Sequence, residues 1–123
     1  MNGKSRGEVE DAITKAIIKF EKEHLGRGPE DARTFILQDM ILIRLKGILT
    51  PAEVRLAQDR EGQALVKETR RQLLESSRPI IENLVRSIVG LDLISMHTDT
   101  STKTGNRIIV LVVEKNLEDE FPL

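Results

Sequence analysis

The stretch Thr34-Phe35-Ile36-Leu37-Gln38-Asp39-Met40-Ile41-Leu42-Ile43-Arg44-Leu45-Lys46 decides the fold. It is rich in β-branched and aromatic residues, which fit a pleated surface, and it is broken once by the polar pair Gln38-Asp39. That pattern predicts a β-hairpin with strands at about 33–37 and 40–46. Gln-Asp is not a favoured two-residue turn, which would be Asn-Gly or Asp-Gly, so a single long strand is the alternative. The second apolar run, Arg107 to Glu114, pairs by the same logic with Leu91 to Thr98. The polar stretch Asp99-Thr100-Ser101-Thr102-Lys103-Thr104-Gly105-Asn106 joins them.

Helices surround these strands. Ser5-Arg6-Gly7-Glu8 has the spacing of a capping box, and Val9, Ile13, Ile17 and Phe20 follow at helical intervals. The spacing predicts a helix over 6–24, stopped at Gly26. Thr50-Pro51-Ala52-Glu53 is a second helix start: an N-cap, a proline in the first turn and a glutamate three residues after the cap. A short helix to Gln58 and a joint near Glu61-Gly62 are expected. A long helix to Val89 follows, with Leu65, Leu73, Ile80, Leu84 and Ile88 facing inward and a bend at Pro79.

The fold class is therefore α+β. The order is α-β-β-α-α-β-β, with helices packed on an antiparallel sheet of about four strands. Its 123 residues suit a single domain, spanning 1–123. The ordered core is expected at about 5–115, and the acidic tail 116–123 is expected to fray.

The strands do not alternate apolar and polar residues, as a strand with one wet face should. Ile41, Ile43 and Leu45 oppose Met40 and Leu42; Ile108, Val110 and Val112 oppose Ile109, Leu111 and Val113. Both sheet faces are expected to be covered, the second by other helices or by another subunit. A homodimer is the reading adopted.

Composition excludes several functions. Apolar residues make up 39% and charged residues 32%, with a net charge of −1, as in a soluble globular chain. The absence of cysteine removes disulfides, zinc–thiolate sites and cysteine nucleophiles, and fits a cytoplasmic location. No apolar run reaches the ~18 residues of a membrane helix, and the residues from Met1 lack the apolar core of a secretory signal. Neutral charge, only three Phe and no Trp or Tyr make nucleic acid an unfavoured partner.

No phosphate loop, dinucleotide fingerprint, zinc-protease motif or nucleophile elbow is present. His97 and Asp99 would share one strand face, where the carboxylate could orient the imidazole. His24 is the only other histidine, too few for a metal site. No catalytic residue, metal or cofactor is expected. The candidate binding residues are Arg27 and Gly28 in the turn Gly26-Arg27-Gly28-Pro29, His97 and Asp99, and Thr102 and Lys103 in the hydroxyl-rich loop. Arg27 and Lys103 would suit an anionic group. Lys67, Arg70, Arg71 and Arg78, interleaved with Glu68 and Glu75, read as a solvated helix face.

With Gly26-Arg27-Gly28-Pro29, Thr50-Pro51-Ala52-Glu53, His97-Thr98-Asp99 and Thr102-Lys103-Thr104-Gly105 in this order, the chain resembles the bacterial MpsC-type family over roughly residues 5 to 115. That family is named for the C component of a Na+-translocating, membrane-potential-generating system. The resemblance implies a small, non-catalytic accessory or regulatory protein beside membrane cation-translocating proteins, peripheral to the membrane through a partner. It brings no catalytic residues. The alternative functions are a small-anion-binding sensor and, less favoured by charge, an RNA-binding module.

Overall fold

A computed structural model describes residues 4–123. The first three residues of the stretch examined for a secretory signal lie outside the described residues. Helix α1 spans Arg6–Leu25, and the capping box at its start is complete: Ser5 Oγ accepts the Glu8 N–H, and a Glu8 carboxylate oxygen accepts the Ser5 N–H. Gly26, at φ 87°, ends it in the left-handed conformation that glycine adopts without steric cost. Strands β1 (Asp31–Leu37) and β2 (Met40–Lys46) form the expected hairpin. Gln38 takes a φ of 57° in its turn.

Thr50 caps α2 (Pro51–Leu56) with its own capping box. Asp59 then caps α3 (Arg60–Ser76), so the joint falls at 57–59, just before the expected Glu61-Gly62. Gly62 is nevertheless essential there, because a Cβ would run into the Leu56 carbonyl. The long helix is two helices. Ser77 ends α3 and starts α4 (Arg78–Val89), placing Pro79 in the first turn, where a missing N–H costs nothing. Pro79 thus starts a helix rather than bending one. β3 (Leu93–Ser101) and β4 (Asn106–Val113) extend further into the polar stretch than expected, which leaves a tight turn at 102–105.

The inner face of α3 and α4 differs from the expected one by a single residue. Val66, Arg70 and Leu74 are buried in α3, and Ile81, Val85 and Val89 in α4. Leu65, Leu73 and Ile80 are exposed, while Leu84 and Ile88 are partly buried. One residue along a helix is a rotation of about 100°. The buried stripe passes through Arg70, and a stripe chosen for aliphatic residues alone avoids it.

The tail also departs from expectation. Residues Leu117–Glu120 form a short helix, α5, and Leu117 and Phe121 are buried in the core. The Arg6 guanidinium donates to the Phe121 carbonyl at 2.9 Å.

The four strands lie in the order β1-β2-β4-β3, every neighbouring pair antiparallel. Ile41, Ile43 and Leu45 of β2 and Ile109, Leu111 and Val113 of β4 point to one face. There they join Val9, Ile13 and Ile17 of α1 and Ile81 and Val85 of α4 in the core. The opposite face has no layer over it among the described residues. Phe35 is 45% exposed, Leu37 50% and Ile108 38%. Of the two expected ways to cover the second face, the chain's own helices do not supply it: they form one layer only.

Candidate functional site

Three segments far apart in the chain meet at one end of the sheet. These are the α1–β1 turn, residues 47–54 after β2, and the β3–β4 turn. Arg27 Nη1 donates to the Leu49 carbonyl at 3.0 Å, and its Nε to the Gly28 carbonyl at 3.4 Å. The Ile48 N–H donates to the Gly105 carbonyl at 3.0 Å. Between them lies a shallow depression of about 320 Å³, lined by Arg27, Glu30, Gly47, Leu49, Val54 and residues 102–105. Gly28 sits behind Arg27 against the Lys22 side chain.

The β3–β4 turn satisfies much of its own backbone. Ser101 Oγ accepts the Thr104 N–H at 3.2 Å, and Thr104 Oγ1 accepts the Asn106 N–H at 3.3 Å. The Gly105 N–H donates to the Ser101 carbonyl at 2.8 Å. Those N–H groups are therefore engaged within the turn. Of the turn's side chains Lys103 and Thr104 are exposed and Thr102 is partly buried.

Beneath this end is a buried ionic cluster. Arg70 is 3% exposed, and Glu21 and Arg107 are 1% exposed each. Arg70 reaches from α3 to Glu53 of α2 through two hydrogen bonds of 2.6 and 2.7 Å, and to the Ile48 carbonyl at 2.9 Å. Arg107 of β4 donates to Thr98 Oγ1 at 2.9 Å and to the Arg70 carbonyl at 3.0 Å. Glu21 of α1 faces both guanidiniums at ion-pair distance, 3.5 Å from Arg107 and 3.7 Å from Arg70. Two acids thus face two bases, Glu21 from the interior and Glu53 from the partly exposed rim, and Glu21 Oε2, Arg70 Nη1 and Arg107 Nη1 are left with charge pairing but no hydrogen bond. Burial pushes the Glu21 carboxyl above its ordinary value, with Arg107 and Arg70 opposing. Burial likewise tends to raise Glu53, but the hydrogen bonds from Arg70 and the Thr50 N–H outweigh it and hold Glu53 low. Burial lowers the Arg107 guanidinium, partly offset by Glu21.

The two arginines Arg27 and Arg70 hold consecutive carbonyls, Leu49 from the surface and Ile48 from the interior. The depression's wall is therefore fixed to the core. Comparison with known proteins identifies the chain that carries this arrangement. The sequence pattern of the family described as "Na+-translocating membrane potential-generating system (MpsC)" matches residues 5–115. The chain belongs to the MpsC family. The uncharacterized protein YbcI of Bacillus subtilis (strain 168) is 44% identical over 119 residues, covering 94% of this chain and 96% of its own length. The uncharacterized protein YrhF of the same organism is 26% identical over 106 residues, covering 85% and 86%. No solved structure matches.

In this MpsC chain the quoted motifs do not form one site. Arg27, Thr102 and Lys103 meet at the depression, and Thr50-Pro51-Ala52-Glu53 supports it from behind. His97 and Asp99 lie elsewhere, on the open sheet face. They share that face without touching: His97 Nε2 lies 3.1 Å from Ser95 Oγ, and Asp99 pairs with Lys67 at 3.1 Å. No group of three or more His, Cys, Asp or Glu suited to hold a metal occurs among the described residues. The solvated helix face holds for Arg71, which pairs with Glu68 and Glu75; Arg78 pairs with Glu82 but also donates to the Ile94 carbonyl at 3.2 Å, and Lys67 reaches Asp99, so both tie their helices to β3. Arg70 is the correction. Its signal was available: it lies four residues from both Val66 and Leu74, in phase with the buried stripe.

Proposed function

We propose that this MpsC-family chain is a non-catalytic accessory protein of a Na+-translocating, membrane-potential-generating system, and that it engages its partner through the polar end. The convergence of Arg27, Thr102 and Lys103 around one depression anchored to the core carries this reading. Loops held by a rigid scaffold are the usual carriers of binding function. The family description names the system. No helix among the described residues is long and apolar enough to cross a membrane, so contact with the system would run through a partner. An exposed lysine beside an anchored arginine suits an acidic partner surface.

The test is the sodium-dependent part of the membrane potential, read with a voltage-sensitive dye in cells lacking the chain. It should fall, return with the native chain, and return less with Thr102→Ala plus Lys103→Ala. An unchanged potential and sodium response would refute the reading. A small-anion sensor is the second reading, motivated by the same two cations. Phosphate or sulfate raising the melting temperature of the native chain, but not of Lys103→Ala, would favour it.

A further inference from the structure

The open sheet face has an internal order. In the strand registers, Leu37, Met40 and Val112 form one row, ending on Ser95 of β3. Phe35, Leu42 and Val110 form the next, ending on His97. The third row is charged at both ends: Arg33 and Arg44 on the β1–β2 side, then Ile108, then Asp99 on β3. Arg33 and Arg44 sit directly opposite each other, and like charges so placed repel. Neither has an acidic partner among the described residues.

We propose that a second copy of this chain covers this face, the two sheets stacking with their strands aligned about a two-fold axis that runs along the strands between β2 and β4. Rotation about that axis lays β1 over the partner's β3 and β2 over its β4, and keeps each row on its own row. Phe35 and Leu42 then meet His97 of the partner subunit and Val110 of the partner subunit. Arg33 meets the partner's Asp99, and symmetry repeats the contact. Arg33 thereby gains a carboxylate that it shares with Lys67, Arg44 lays its aliphatic stem on Ile108 of the partner subunit, and the apolar rows lose water. The other in-plane axis, across the strands, reverses the rows. It sets both arginines on apolar side chains, with no carboxylate for either, or halves the overlap. Aligned stacking at about 10 Å is the ordinary geometry of packed sheets.

The area suffices. Asp31 opposite Lys46 begins a fourth, polar row beyond Arg33 and Arg44, and four strands about 4.8 Å apart with four rows about 6.8 Å apart span roughly 500 Å². A pair would remove about 1,000 Å², the lower bound for a specific interface. The dimer is therefore expected to dissociate in the micromolar range. Because the strands of both copies run the same way, both polar ends face one side. The pair would offer two Lys103 turns to one partner surface. That last consequence rests on the proposed function; the dimer does not.

The experiment is sedimentation of the full chain over about 1–100 μM. A mass twice the 13.9 kDa of one chain is expected. Phe35→Glu, at a position already 45% exposed, should weaken association at least about tenfold while the far-ultraviolet spectrum is kept. Arg33→Glu and Asp99→Arg should each weaken it, and the two together should restore it. Leu37→Cys with Ser95→Cys tests the axis. These sites lie on the two edge strands, about 14 Å apart within a chain by strand spacing, too far for an internal disulfide. The chain has no cysteine of its own, so oxidation should yield a covalent dimer. A monomer at every concentration would overturn the proposal. So would a dimer indifferent to Phe35→Glu and not cross-linked by the cysteine pair. A monomer whose open face binds anionic lipid vesicles, and loses them with Phe35→Glu, would assign the face to a membrane instead.

Discussion

Arg70 and Arg71 are adjacent, identical in type and flanked by the same glutamates, yet their replacement should have opposite consequences. Arg70→Met keeps much of the side-chain volume and removes the charge. Three hydrogen bonds disappear, two to Glu53 and one to the Ile48 carbonyl, together with the ion pair to Glu21. Glu53 is partly exposed and can rehydrate. Glu21 cannot: it is 1% exposed and keeps only Arg107. Removing one partner of a buried charge cluster costs about 3–5 kcal/mol, much of it from the charge left behind. An orphaned buried carbonyl costs about 1–3 kcal/mol by itself, and the two effects overlap rather than add. A loss near 4 kcal/mol is a large share of the ~5–15 kcal/mol that holds a domain folded. With a urea slope of about 2 kcal/mol per molar, the midpoint should fall by roughly 2 M. Arg71→Met, which breaks only exposed pairs with Glu68 and Glu75, should leave the midpoint where it was. Adding Glu21→Gln and Glu53→Gln to Arg70→Met should recover part of the loss, because no unpaired charge remains inside. Equal midpoints for the Arg70 and Arg71 variants would refute the reasoning.

Thr50→Ala should cost about 1 kcal/mol in urea denaturation, since Thr50 Oγ1 accepts the Glu53 N–H at 3.2 Å and starts α2. Acid stability should depend on Glu53. Its folded-state pKa lies below the ordinary 4.5, so its contribution is complete above 4.5 and is lost as pH falls through the lower value. Glu21 runs the other way: its raised pKa gives a contribution present below 4.5 and lost as pH rises through the folded value. Denaturation midpoints measured from pH 6 to about 3 should therefore fall less steeply in Glu53→Gln than in the native chain, and parallel profiles would contradict the assignment.

The elements whose signals are local were legible. Both capping boxes, the Gly26 stop and the two strands of the first hairpin occur where the pattern of side chains within a few residues places them. The hairpin's weak turn is the instructive case. Gln38 holds a positive φ that costs energy for a residue with a Cβ. Its N–H is held by Glu118 at 2.7 Å, and its carbonyl accepts the Leu117 N–H at 2.8 Å. The neighbouring Asp39 carbonyl accepts the Val113 N–H at 2.9 Å. Partners some 80 positions away stabilise a turn that its own residues do not favour. The same contacts explain why an acidic tail, read locally as loose, is docked with Leu117 and Phe121 in the core.

The site was legible by pieces and not by assembly. Composition could mark Arg27, Thr102 and Lys103 as unneeded for the core, but only the β1-β2-β4-β3 order brings their turns to one end. Glu53 shows how a local signal conceals a distant one. Its reading as the last member of a capping box was correct and complete at short range: one oxygen accepts the Thr50 N–H at 2.9 Å. The same oxygen accepts Arg70 Nη2 at 2.6 Å, a contact that no spacing rule within 50–53 contains. Charge patterning assumes that charged residues on a helix face water, and that assumption hid Arg70 and rotated the inner stripe by one position. The two-sided apolar strands carried the opposite kind of information. They pointed to a second face poor in polar residues, and among the described residues α1 and α4 pack on the first face while Phe35, Leu37 and Ile108 of the second stay exposed.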